Sequence, residues 1–132
     1  MNRSNLVFVV EDTNNNKFGC YLPVKIDRYG TDVPGNKDMF LFSLKSNGRI
    51  NGMMKFEWKS GRGYHLLNKS YDQLIRLGGG SDLGLRKQNY KSQCWILQRN
   101  DCFEYHGISN ALCGKTGNPA FECRRITVIQ MQ

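Results

Sequence analysis

Histidine is scarce in this chain: His65 and His106 are the only two in 132 residues. Neither sits in a local catalytic motif, and nucleophilic catalysis needs a nucleophile beside a base. Ser81 follows three glycines, but G-x-S-x-G fails because Leu83 takes the last position. Carboxylates are thin as well. Glu11, Glu57, Glu104 and Glu122 are each isolated, so no acid/base pair is enforced by spacing. No Cys-x-x-Cys occurs, and Cys94, Cys102, Cys113 and Cys123 are too widely spaced for a zinc knuckle or ribbon. These gaps leave no catalytic, cofactor or metal residue to nominate.

Long apolar runs are also missing. Leu6–Val10 is too short for a signal-peptide core and far too short to span a bilayer. Five cysteines, an odd number, argue against a disulfide framework. The expected compartment is therefore the cytoplasm, with the nucleus as the alternative. Two phosphate motifs fail on inspection. Gly114-Lys115-Thr116 lacks the glycine five residues earlier, where Ser109 stands. Gly78-x-Gly80 has Leu83 at the third glycine position of a dinucleotide fingerprint.

What the chain has is short strands. Nowhere does a helical period persist for three turns. Leu6–Val10 is a continuous apolar run, the pattern of a strand buried on both faces. Turn residues follow at 12–16, and a strand resumes over Lys17–Leu22. Residues 27–38, with Gly30, Pro34 and Gly35, read as a long exposed loop. Met39–Leu44 and Met53–Trp58 flank Asn47-Gly48, a hairpin turn signal. Further strands are expected over Tyr64–Leu67, Leu74–Leu77, Leu83–Arg86, Cys94–Leu97, Cys102–Tyr105 and Cys123–Met131, with room for one helical turn before Leu74. The pattern predicts one mainly β domain over residues 1–132: two antiparallel sheets packed as a sandwich, with few short helices.

Gly78, Gly79 and Gly80 stand in a row inside an apolar stretch and lead to Asp82. Consecutive glycines are entropically costly, so they mark a crowded turn in the core. Asp82 is expected to bridge that turn through its side chain.

Charge is uneven. The formal +8 comes entirely from residues 45–132; residues 1–44 are neutral. Lys55, Lys59, Arg62, Arg86, Lys87 and Lys91 form a candidate basic interaction surface for an acidic partner. In Lys55-Phe56-Glu57-Trp58-Lys59 the strand period turns the aromatics inward and the charges outward, which disfavours a base-stacking platform. Arg124-Arg125 splits across the last strand, so one arginine is expected near the core with Glu104 or Glu122 as its partner.

Four stretches in order resemble the TLDc domain: Phe18-Gly19-Cys20-Tyr21, Phe40-Leu41-Phe42-Ser43-Leu44, Gly78–Leu83, and Phe121–Ile129. The match spans residues 5 to 131. The resemblance implies a β-sandwich of two antiparallel sheets with minor helices. It also implies protection against oxidative damage and binding to the vacuolar proton-pumping ATPase, with no catalytic activity carried over. Cys20 departs from the family's second glycine. The family's opening helical segment, rich in Leu and Trp, has no counterpart here, so the chain resembles the later, larger portion of the domain. The leading expectation is a non-enzymatic protein-interaction module. The alternatives are a hydrolase or redox enzyme resting on Ser81-Asp82, and a nucleic-acid-binding basic domain.

Overall fold

A computed structural model describes residues 4–27, 30–45, 52–67, 73–78, 82–86, 94–96, 102–108, 111–112 and 120–132. The chain alternates short apolar strands with polar turns, and two antiparallel sheets result. One sheet holds β1 (Leu6–Asp12), β2 (Lys17–Leu22), β4 (Phe40–Lys45), β5 (Met54–Glu57) and β11 (Cys123–Gln130), in the order β11-β1-β2-β4-β5. The other holds β3 (Asp32–Pro34), β6 (Arg62–Leu66), β7 (Gln73–Leu77), β8 (Leu83–Arg86), β9 (Cys94–Ile96) and β10 (Ala120–Phe121), in the order β10-β9-β8-β7-β6-β3. Among the described residues there is no helix.

The core forms where the inner faces meet. Leu6, Phe8, Val10 and Phe18 from one sheet and Tyr64, Ile75, Leu77 and Leu85 from the other belong to one buried cluster. Burial of this apolar area is the main stabilising term.

The first hairpin shows how local chemistry sets the register. β1 pairs with β2 from Leu6↔Leu22 to Glu11↔Lys17. Buried Asp12 organises the turn: its Oδ1 accepts from the Asn14 and Asn16 amides at 2.9 and 2.8 Å, and its Oδ2 from Asn16 Nδ2 at 2.7 Å. Asn15 takes φ 63°, a conformation asparagine tolerates.

Four expectations need correction. First, β1 is not buried on both faces. Leu6, Phe8 and Val10 enter the core, while Val7 and Val9 are half-buried on the outer face. Second, the loop expected over 27–38 contains β3. This short strand pairs with β6 at the sheet edge, where proline costs least, and shifts register before Pro34.

Third, among the described residues Cys102–Tyr105 makes one isolated bridge, Phe103↔Trp58, rather than a strand. The segment lies along the end of β5 through Lys59 N to Cys102 O (2.7 Å) and Glu104 N to Glu57 O (2.8 Å). It then turns away at His106 and Gly107, both at positive φ, with Glu104 accepting from the His106 amide. Fourth, neither Arg124 nor Arg125 approaches the core. Both are exposed and reach Glu11, at 3.9 and 3.8 Å. β11 is an edge strand, and the register shifts between Glu11 and Asp12, so both arginines find water and one carboxylate.

The strands flanking Asn47-Gly48 pair antiparallel, from Phe40↔Glu57 to Ser43↔Met54. The turn itself, the connection at 68–72 and the Gly114–Thr116 stretch lie outside the described residues.

Candidate functional site

The outer face of the five-stranded sheet departs from the usual alternation. An antiparallel sheet with one solvated face normally presents polar residues there. Here β1 contributes Val7 and Val9, β2 Tyr21, β4 Phe40 and Phe42, and β11 Ile129. With Met53 and Met131 at the rim, they line a groove of about 470 Å³. Met53, Ile129 and Met131 are well exposed, at 77%, 44% and 50%.

Gly19 shapes the floor of this groove. A Cβ there would overlap the Phe8 carbonyl and press on the Phe42 ring, so only glycine fits at this close approach. Phe40 completes an aromatic row, its ring centroid 5.3 Å from Tyr21 and 6.2 Å from Phe42. Lys55 Nζ sits 4.5 Å above the Phe40 ring, a cation–π contact.

Charge gathers at one end of this sheet, beyond Val9. Glu11 is shared by Lys17 at 3.4 Å, Arg124 and Arg125. Among the described residues, no carboxylate lies within ion-pair distance of Lys45 or Lys55.

The glycine-rich turn is a separate feature, on the other sheet. Gly78 has φ 80°, and its amide donates to Gly63 O at 2.9 Å. A Cβ at Gly78 would collide with the Asp82 carboxyl, which folds back over it. Asp82 is fully buried, and Tyr105 Oη donates to its Oδ2 at 2.6 Å. Burial, with the negative field of Asp82 and this hydrogen bond, pushes the Tyr105 phenol far above its usual range. The Tyr105 ring in turn packs on Phe56 of the five-stranded sheet, centroids 5.4 Å apart. Asp82 and Tyr105 thus tie the two sheets together. Gly79, Gly80 and Ser81 lie outside the described residues.

The basic residues chosen from sequence do not gather on one strand face. Lys55 flanks the apolar groove, and Lys59 lies 3.9 Å from Glu104. Arg62 begins β6, 3.3 Å from Asp32, and Arg86 ends β8 opposite Gln73. The last two stand near opposite ends of β7. Lys87 and Lys91 lie outside the described residues.

Sequence reasoning did not single out Val9, Tyr21, Phe42 or Ile129. Their signal was present: Leu6–Val10 and Phe40–Leu44 lack the polar residue at every second position that a solvated face requires.

A family model for the TLDc domain matches residues 1–126. The chain belongs to the TLDc family. No curated protein matches it. In this TLDc domain, the Phe-Gly-Cys-Tyr stretch is β2 and Phe40–Leu44 lies in β4, so two of the recognised motifs are neighbours that build the apolar face. Cys20, the departure from the family pattern, points inward. Burial pushes its thiol up to about 12, against a smaller opposing effect of a hydrogen bond from the Phe8 backbone. A thiol so protonated is a poor nucleophile and a poor redox sensor at neutral pH.

Proposed function

We propose that this TLDc domain is a non-enzymatic protein-interaction module. The observation that carries this reading is the apolar groove on the outer face of the five-stranded sheet, with Lys55 in its lining and no carboxylate at ion-pair distance from that lysine among the described residues. Exposed apolar patches with polar rims are characteristic of association surfaces. Cations around such a patch speed encounter with an acidic partner and fix its orientation. Of the themes the family resemblance brings, a subunit of the vacuolar proton pump is the first partner to test, and oxidative-stress protection would follow from binding rather than catalysis. The proposed compartment is the cytoplasm or nucleus, in keeping with the reduced thiol of Cys20. No helix among the described residues is long and apolar enough to cross a membrane.

A hydrolase built on Asp82 is disfavoured because that carboxyl is sealed in the core and engaged by Tyr105. A redox role is disfavoured at Cys20 by its raised pKa. Nucleic-acid binding is disfavoured because the groove presents its aromatics beneath Lys55 in a packed row, with no stack open to bases.

The test is affinity capture from lysate at low and at high salt. The expected result is a protein partner whose recovery falls as salt rises. Recovery of no salt-sensitive protein, or of nucleic acid alone, contradicts the reading.

A further inference from the structure

We propose that the outer face of the five-stranded sheet receives an amphipathic α-helix with an apolar stripe and acidic flanks, supplied by a partner protein; this rests on the interaction-module reading above. Three observations converge on that occupant.

The first is the sequence pattern. Leu6–Val10 and Phe40–Leu44 have the composition of strands covered on both sides, yet on the outer side Val7, Val9, Phe40 and Leu44 are only half-buried and Phe42 alone is buried. The apolar outer positions are contiguous across β11, β1, β2 and β4, so the uncovered area is one patch and not scattered exposures.

The second is shape. An extended peptide joins a sheet through its edge, where backbone groups are unpaired. This groove lies on the face, where Val9, Tyr21 and Phe42 offer side chains only. The layer that covers a sheet face is a helix or a second sheet. Five strands at about 4.8 Å spacing make a face roughly 20 Å wide, which about 13 residues of α-helix cross.

The third is charge. Lys55 lines the groove, and Lys17, Lys45, Arg124 and Arg125 gather with Glu11 at one end of the same sheet, where cations outnumber carboxylates. A second copy of the chain would bring these cations against their like and be repelled. A helix with Asp and Glu beside its apolar stripe would be drawn to them. Lys55 is placed to act twice, its stem on Phe40 and its ammonium free for a carboxylate.

The test is selection from a displayed library of four-turn helical peptides that keep leucines along one stripe and randomise the flanks. Wild-type chain is the bait, and the Val9→Lys and Lys55→Glu variants are counter-baits, each checked for folding by circular dichroism. The proposal expects enriched peptides with Asp or Glu flanks. Their affinity should fall at least roughly tenfold for Val9→Lys and about threefold for Lys55→Glu, with a weaker salt dependence. Neutral or basic flanks, no enrichment, or peptides that ignore both variants would overturn it. A concentration-dependent dimer abolished by Val9→Lys would also overturn it, in favour of a second copy. Should Val9→Lys fail to fold, Lys55→Glu and the flank composition still decide. If lysate capture of a salt-sensitive partner survives Val9→Lys, the interaction-module reading stands and this docking face is lost.

Discussion

The two sheets of this TLDc domain present opposite outer faces. On the six-stranded sheet, the described outward residues of β3, β6 and β7 include Asp32, His65 and Arg76. His65 lies across from Asp32 on one side and Arg76 on the other, and Arg76 donates through Nε and Nη2 to Gln73 Oε1 at 3.0 and 2.7 Å. His65 Nδ1 stands 2.9 Å from Asp32 Oδ1, with Arg62 3.3 Å from the same carboxyl. These polar groups pair with one another across β3, β6 and β7. The five-stranded sheet carries Val7, Val9, Tyr21, Phe40 and Phe42 in the equivalent outward positions. Both sheets share one core, so the difference cannot come from the fold. It is a property of the outward residues alone, and the proposed contact surface rests on it.

The comparison is broken most severely at Gly19. Gly19→Ala places a methyl against the Phe8 carbonyl and beneath Phe42, so we expect a loss of about 3 kcal/mol in urea unfolding. An unchanged midpoint would mean that the apolar face is not held by this close approach. Next comes the tie between the sheets. Tyr105→Phe removes the donor to buried Asp82 and should cost about 1–3 kcal/mol. A neutral outcome would show that the two sheets do not depend on that link.

Alkaline pH sharpens the view of the inner side of β2. The folded Cys20 thiol titrates near 12, against 9.0 for an unperturbed thiol. Its contribution is complete below pH 9.0 and is lost as pH rises towards 12, because the unfolded chain releases the proton first. Stability should fall by about 1 kcal/mol per pH unit in that window from this group. Cys20→Ala should show a shallower decline than wild type, measured by denaturant midpoints at pH 8 and 10. Equal slopes would contradict the burial of this thiol. Tyr105 adds a decline of the same sign above its unfolded value of 10.0.

The smallest effects lie on the polar face and at one buried hydroxyl. His65→Ala should change stability by less than about 1 kcal/mol, since the Asp32 pair is partly exposed and screened. Ser43 Oγ is buried with no hydrogen-bond partner among the described residues, so Ser43→Ala should be neutral or slightly stabilising. A large loss at either position would mean that a partner for it has been overlooked.

Much of this contrast was legible in the residues. Period-two patterning and turn chemistry located β1, β2, β4, β5 and β8, through apolar runs or, in β5, alternation, with Asn, Gly or Pro close by. β3 was hidden because a three-residue edge strand ending in Pro34 looks like a loop; only its pairing with β6 makes it a strand. Cys102–Tyr105 misled in the other direction, its apolar character serving core anchoring rather than a ladder. The Asp82–Tyr105 bond joins residues 23 positions apart, and no local period encodes it. The docking face was half legible. Leu6–Val10 announced a strand with two apolar sides, but only the sheet order reveals which side meets the core and which meets the solvent.

The most direct measurement is partner capture with one charge-altering substitution on each face, both variants confirmed as folded. Val9→Lys on the five-stranded sheet should abolish recovery of the salt-sensitive partner, while Arg76→Glu on the six-stranded sheet should leave it intact. Loss with Arg76→Glu and retention with Val9→Lys would contradict the account and move the working surface to the polar face.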